Sequence, residues 1–334
     1  MSFLSKIAVI GGGTGARTIL TGLKRQKDVL LSAIVTMSDD GGHTGVLRDE
    51  LGVLPPGDLR QCLVALSDDR DDAWRKLFSF RFTDGSGNMS GQNVGNIILS
   101  ALEKIYEDPI VALDTAHRLL DVKGRVIPVT LQGTTLCAEL DDGTVVRGES
   151  NIDASDNPRA PIKRCFFETP SKINSEALTA IRDADVVVIG PGDFWTSIVP
   201  NLIVPEIPRA LHELQQNGGR IFFVCNLVTK LGETDGYKAS DFRNRINQLI
   251  SPAHLDITIV NSAKPAQAIQ RRYEEIGEYL VEDDLPHRDH SVYRQALISP
   301  EIGETVSGDK VRRSLLRHDG DMLAQVIKRL LPEN

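Results

Sequence analysis

Five short segments carry the residue types that could do chemistry. They are Gly11-Gly12-Gly13-Thr14-Gly15, Asp39-Asp40-Gly41-Gly42, Gly190-Pro191-Gly192-Asp193, Asn226 and Asn261-Ser262. In the first, Gly11, Gly13 and Ala16 satisfy the dinucleotide spacing G-x-G-x-x-G/A. Glycines there permit a tight turn and let a phosphate approach backbone amides, although a purely structural turn has the same spacing. No Gly-Lys-Ser/Thr follows, so the loop is not of the Walker type. Asp39 and Asp40 suit a loop that holds a metal or orients a hydroxyl, with a single ribose contact or a solvated Asx turn as the alternatives. Gly190 and Gly192, with Thr196 and Ser197 behind them, offer a second anion cradle or a turn followed by a helix cap.

Asp58 and Arg60 follow the rigid Pro55-Pro56-Gly57 turn. Asp58 is read first as a helix cap and second as a catalytic acid, so the catalytic candidates are Asp39, Asp40 and Asp58. Asp39 and Asp40 are the metal candidates. Arg17, Arg48, Arg60 and Arg317 are candidate phosphate partners. His287 and His290 lie in a charged loop without further ligands, so no metal site is expected there. No G-x-S-x-G elbow supports serine hydrolysis, and Trp74 and Trp195 are expected in the core or a pocket wall.

The elements that must position these residues alternate between buried strand and helix. Ile7 to Ile10 is wholly apolar and runs into the first glycine loop, with helical spacing from Arg17 to Lys24. Leu30 to Thr36, Asp185 to Ile189, Arg220 to Cys225 and Leu255 to Val260 read as further strands. Each ends in a polar or glycine-rich loop, which is the pattern of βα units with right-handed crossovers. Helices are expected over Leu59–Leu66, with Asp58 as its cap, and over Asn93–Tyr106, with Ile97, Ile98, Ala101, Leu102 and Ile105 on the buried side.

Arg125–Thr130, Thr135–Leu140 and Thr144–Gly148 read as short strands, the last two joined by an Asp-Gly hairpin turn. Residues 124–168 are therefore expected to form an antiparallel insertion. Residues 282–291 are expected as a surface loop, and 310–331 as two helices separated by His318-Asp319-Gly320. The expected fold is a single α/β domain over residues 1–334, a Rossmann-like three-layer parallel sheet with a small antiparallel β insertion. In such a sheet ligands bind outside the carboxyl ends of the strands, and all five chemistry-bearing segments fall on that edge.

Composition narrows the class. The 334 residues include 38 Lys and Arg against 46 Asp and Glu, so 38 − 46 = −8. With no basic cluster, general nucleic-acid binding is not expected. A small anion is still admissible, because local amides and cations outweigh the global field. Cys62, Cys137, Cys165 and Cys225 are widely spaced and are expected as reduced, buried thiols. The amino terminus enters a strand too soon for a signal peptide, and no apolar run approaches about 20 residues. A cytoplasmic protein without membrane insertion is expected, assembled as a homodimer.

Gly11-Gly12-Gly13-Thr14-Gly15 resembles the opening of the CofD-like superfamily, which unites 2-phospho-L-lactate transferases with YvcK-like gluconeogenesis factors. The resemblance continues through Asp39-Asp40-Gly41-Gly42, Leu54-Pro55-Pro56-Gly57-Asp58-Leu59-Arg60, Gly95-Asn96 and Ile189-Gly190-Pro191-Gly192. It extends through Thr196 to Leu202, Cys225-Asn226, Gly232-Glu233-Thr234 and Leu316-Arg317-His318-Asp319. The Leu-Pro-Pro-Gly-Asp block and the length favour the gluconeogenesis-factor branch.

That resemblance implies a protein that binds UDP-sugars such as UDP-N-acetylglucosamine and links carbon metabolism to cell-wall synthesis and cell shape, with no cofactor required for binding. The transferase branch implies magnesium-dependent movement of a phospholactyl group from a nucleotide diphosphate donor to a deazaflavin alcohol. By position, Tyr273 and Arg317 are implied to hold the UDP-sugar, the ring on the base and the guanidinium on the diphosphate. With these two, the candidate ligand set comprises Arg60, Asn96, Gly190, Gly192, Thr196, Ser197 and Asn226 and the two loops Gly11–Gly15 and Asp39–Gly42. Departures from the family pattern fall at His43, at Gln92 and at Asp193-Phe194-Trp195, where Asp193 adds negative charge beside the second cradle. Three readings follow: a UDP-sugar-binding regulator, a magnesium-dependent group transferase, and a nicotinamide-nucleotide binder.

Overall fold

The computed structural model describes residues 4–68, 73–82, 89–153, 159–301 and 315–332. Seven strands form one parallel sheet: β1 (Ser5–Gly11), β2 (Val29–Val35), β3 (Arg125–Pro128), β7 (Val186–Ile189), β8 (Arg220–Val224), β9 (Ile257–Asn261) and β10 (Val292–Gln295). Their order is β10-β9-β8-β7-β1-β2-β3. The chain builds outward from β1 to β3, then returns to the other side of β1 and builds outward again. The switch point therefore falls between β1 and β7, where Ile10 pairs with Ile189 and the two glycine loops leave the sheet side by side.

Continuous apolar strands are what a sheet covered on both faces requires. Ala8, Ile10, Val187 and Ile189 point into one core layer, against the helices Ser175–Arg182, Ile207–Gln216 and Ala239–Ile250. Ile7, Val9, Val186 and Val188 point into the other. There they meet α1 (Gly13–Leu23), α3 (Pro56–Leu66) and the carboxyl-terminal helix Gly320–Arg329. Between these elements lie α2 (Gly42–Leu51), α4 (Ala73–Ser79), α5 (Val94–Tyr106) and α6 (Pro109–Leu119). All four cysteines are buried free thiols. Among the described residues no helix is long and apolar enough to cross a membrane.

Several boundaries differ from expectation. Arg125–Pro128 does not open the insertion; its residues pair in parallel with Ser32–Val35 and extend the main sheet. The antiparallel sheet consists of β4 (Leu136–Leu140), β5 (Val145–Arg147) and β6 (Ile162–Phe167), ordered β5-β4-β6, with α7 (Glu149–Asp153) inside it. Helix α1 starts at Gly13, directly on the glycine loop, and α2 occupies a stretch for which the local sequence pattern names no element. Helix α5 buries Gly95, Asn96, Leu99 and Ser100, while Ile105 is 71% exposed. The small face fits because α5 packs closely on α3 and α4, and Gly95 abuts Phe78 and Arg60. Trp74 is exposed, unlike Trp195, which is fully buried. The first of the two helices expected after residue 310 falls mostly outside the described residues, and the second is Gly320–Arg329.

Candidate functional site

The crevice at the switch point is built from two interlocked turns. A Cβ on Gly15 would overlap the backbone carbonyl of Pro191, and one on Gly12 would overlap the Asp58 carboxylate. Both positions require glycine because backbone or a buried acid occupies the space a side chain would need. Gly190 N–H donates to the Ile10 carbonyl at 2.9 Å, tying the second turn to β1. Helix α1 begins here with Gly12 as its N-cap, a residue with no side chain to cap the helix itself.

Asp58 does not cap its own helix. It sits in the first turn of α3, whose N-cap is Pro55, and its carboxylate takes the backbone N–H of Gly13 on α1. Helix α3 starts at Pro56 because proline's fixed φ suits a first helical position, which leaves the Asp58 side chain free to cross to α1. Burial and the nearby charge of Asp39 push the Asp58 carboxyl up to about 7, against the opposing pull of Gly13 N–H and Arg60.

Asp39 lies at the tip of β2. Its Oδ1 accepts the Gly41 N–H at 3.0 Å, and its Oδ2 packs 2.6 Å from where a Cβ on Gly57 would stand. Burial raises its carboxyl too, with Asp40 adding repulsion and Thr44 and Arg48 opposing. Asp40 points elsewhere: its two oxygens accept the backbone N–H groups of Glu149 (3.0 Å) and Ser150 (2.8 Å). Asp40 therefore caps α7 across more than 100 residues of sequence and fastens the β insertion to the β2 loop.

Three site residues escape a reading of local sequence. Glu149, at the start of α7, faces Asp39, Asp58 and Asp40; burial first, then these charges, hold its carboxyl well above the usual range. Lys230, in the segment after β8, ion-pairs with Asp153, Asp193 (3.2 Å) and Glu233 (3.0 Å). Glu233 belongs to a block whose only sequence signal is family resemblance, and its side chain is fully buried. Nothing local marks these residues, because their partners lie on other elements.

The remaining predicted residues divide. Asn226 donates from Nδ2 to the Gly192 carbonyl at 2.8 Å and leaves its buried Oδ1 without a hydrogen-bond partner. The buried Thr196 hydroxyl is likewise unpartnered, and Ser197 is half-buried on the same turn. Thr14 accepts the Thr18 hydroxyl on its carbonyl, while Gly41 and Gly42 open α2. Arg60 and Asn96 pair with each other at 2.8 Å, and Arg60 also reaches the Phe78 carbonyl, so both brace α3, α4 and α5. Arg17 is exposed on α1, and Arg48 pairs with Asp49 at 2.9 Å.

Tyr273 is 2% exposed, its ring packed with Leu227 and Leu316, and its hydroxyl accepts the Leu316 N–H at 2.8 Å. It fixes the segment carrying Arg317, whose buried Nε has no hydrogen-bond partner. The neighbouring His318 is buried against Cys225, and burial lowers its imidazole to about 4. Of the departures from the family pattern, His43 lies in the first turn of α2, Gln92 is buried beside Asn93, and Asp193 opens onto the crevice. Among the described residues, no three His, Cys, Asp or Glu side chains are grouped to hold a metal ion.

A family model described as 2-phospho-L-lactate transferase CofD matches residues 7–298. The gluconeogenesis factor of Bacillus subtilis is 37% identical over 333 residues, covering 98% of this chain and 98% of that protein. The gluconeogenesis factor of Halalkalibacterium halodurans is 40% identical over 283 residues, covering 83% and 84% respectively. A crystal structure of a Bacillus halodurans protein superposes with a TM-score of 0.86 at 34% identity, covering 97% of this chain and 99% of that one.

Proposed function

The chain belongs to the CofD family, among relatives named gluconeogenesis factors, and on that premise we propose that it binds a nucleotide-diphosphate ligand of the UDP-sugar kind. The binding is regulatory: it reports carbon supply during gluconeogenic growth to cell-wall synthesis and cell shape. The observation that carries this reading is the pair of interlocked glycine turns at the switch point. They bring the start of α1, where Asp58 takes the Gly13 N–H, and the Gly192 turn to one crevice, which is where a parallel sheet of this order receives a diphosphate. Arg317 and Asn226, each with an unpartnered buried atom near the end of β8, supply hydrogen-bonding capacity beside it.

The test is thermal denaturation with UDP-N-acetylglucosamine, UDP-glucose, GDP, NAD and magnesium, on the wild type and on Arg317→Ala. A ligand at about 100 times its dissociation constant adds about 2.7 kcal/mol to stability. Stabilisation by UDP-sugars that is lost in Arg317→Ala supports the reading. Silence with UDP-sugars refutes it.

A second reading, a magnesium-dependent group transferase, is favoured by the acids Asp39, Asp58 and Glu149. Hard oxygen donors, raised above their usual range by burial and mutual repulsion, fit a divalent cation. No three side chains are grouped to cage an ion among the described residues, so Asp39, Asp58 and Glu149 would hold magnesium with one or two carboxylates at most. Bound there it would supply charge neutralisation at the diphosphate. Magnesium-dependent release of a nucleotide product would select this reading. The nicotinamide reading has less support, because both acids at the tip of β2, where a ribose contact belongs, already accept backbone N–H groups.

A further inference from the structure

Lys230 meets three carboxylates that come from three separate elements. Asp153 ends α7, Asp193 follows the Gly190-Pro191-Gly192 turn, and Glu233 lies in the same segment as Lys230. An ammonium has three N–H donors; here Asp153 accepts one, while the carboxylates of Asp193 and Glu233 lie within ion-pair distance. The arrangement is unbalanced, with three acids against one cation, and it is also unequal. Glu233 is fully buried and neither of its oxygens has a hydrogen-bond partner, so among the described residues Lys230 is the cation it depends on. Asp153 is 30% exposed, whereas the Asp193 side chain is 53% exposed and stands at the mouth of the crevice. Of the three, Asp193 is the most exposed and leaves at least cost, although the protein packed around it still desolvates its charge.

We propose that Lys230 is the side chain that receives the ligand's phosphate, and that Asp193 is a displaceable counter-ion that occupies Lys230 until an anion arrives. The proposal rests on the reading of this crevice as a diphosphate site. It makes Asp193 a specificity-determining residue. A singly charged, diffuse anion gains little by replacing a carboxylate, whereas a phosphate brings several strong acceptors to the same ammonium.

The groups that face Asp193 are Lys230 and Glu233 from the segment after β8, Asp58 from α3 and Glu278 from the segment after the helix Gln267–Glu274. Asp153 of α7 reaches it through Lys230. Burial of the recess, then Glu233, Asp58 and Glu278, raises the Asp193 carboxyl to about 7. At pH 8 an acid of that strength is about tenfold more ionised than protonated, and at pH 6 the ratio is reversed. Competition for Lys230 by ionised Asp193 thus fades across this range.

The experiment is isothermal titration of UDP-N-acetylglucosamine at pH 6 and pH 8, in low salt, with the wild type, Asp193→Asn and Lys230→Met. The diphosphate ester of this ligand does not titrate in that range. Asp193→Asn is expected to bind about tenfold tighter than the wild type at pH 8 and equally at pH 6. Lys230→Met is expected to bind at least tenfold more weakly at both. Because Lys230→Met strands three acids and can fail to fold, the deciding comparison is wild type against Asp193→Asn, which removes a half-exposed charge. Unchanged or weaker binding by Asp193→Asn at pH 8, with a wild type that binds, overturns the proposal and leaves the UDP-sugar reading standing. If the wild type binds no UDP-sugar, that reading fails, and inorganic pyrophosphate becomes the probe. Tighter pyrophosphate binding by Asp193→Asn at pH 8 then upholds the role of Lys230, and its absence overturns it.

Discussion

Replacing Asp58 with Asn should stabilise the protein at pH 8 and do so only about a quarter as much at pH 4.5. In the fold this carboxyl is raised from an ordinary 3.8 to about 7. A group raised in the native state contributes stability below its unfolded pKa, and that contribution is lost as pH rises through the folded value. The window is therefore about pH 4 to 7. At about 1.36 kcal/mol per decade, a rise from 3.8 to about 7 corresponds to about 4 kcal/mol, and partial exposure with coupling to Asp39 brings the expected gain to about 2–4 kcal/mol. Asparagine keeps an oxygen to accept the Gly13 N–H and never ionises.

The assay is urea denaturation of both proteins at pH 4.5, 6, 7 and 8, read as the difference between variant and wild type. Differencing matters because His318, lowered to about 4, acts in the opposite sense and removes stability from both proteins as pH falls below about 6.5. A difference that stays flat from pH 4.5 to 8 would refute the reasoning, as would a variant less stable than the wild type at pH 8.

Three further outcomes are expected. Gly15→Ala drives a Cβ into the Pro191 backbone and should cost at least about 2 kcal/mol, whereas Gly133→Ala meets nothing within 4 Å and should stay within about 0.5 kcal/mol, both measured by denaturant melts. Asp40→Ala removes two charge-assisted bonds to α7, so stability should fall by about 2 kcal/mol and amide exchange should quicken over residues 149–153 first; unchanged exchange there would discount the fastening role. Tyr273→Phe keeps the ring but deletes the acceptor of the Leu316 N–H, so it should cost about 1 kcal/mol and weaken UDP-sugar binding by loosening the segment that holds Arg317. Full affinity in this variant would show that the hydroxyl does not position Arg317.

Much of the fold is legible in the sequence because its signals are local. Strands buried on both faces must be apolar at every position, and Ile7–Ile10 and Val186–Ile189 are. Turns that leave the sheet where another backbone or a buried acid presses against them must be glycine, and Gly12 and Gly15 are. Those two requirements suffice to place the crevice at one edge of the sheet.

Tertiary structure decides the roles within it. Arg125–Pro128 has the same β character whether it starts an insertion or closes a sheet, and only the empty edge of β2 selects the latter. Local sequence makes Asp58 a cap of its own helix and Asp40 a crevice acid. In the fold Asp58 serves α1, and Asp40 serves α7. Glu149, Lys230 and Glu233 carry no local signal at all. A hydrogen bond is claimed by whichever donor the fold brings within about 3 Å, and a carboxyl is raised by whatever burial and neighbouring charge the fold imposes. Sequence supplies the side chains for both effects, but the distances that choose among them exist only after the chain has closed on itself.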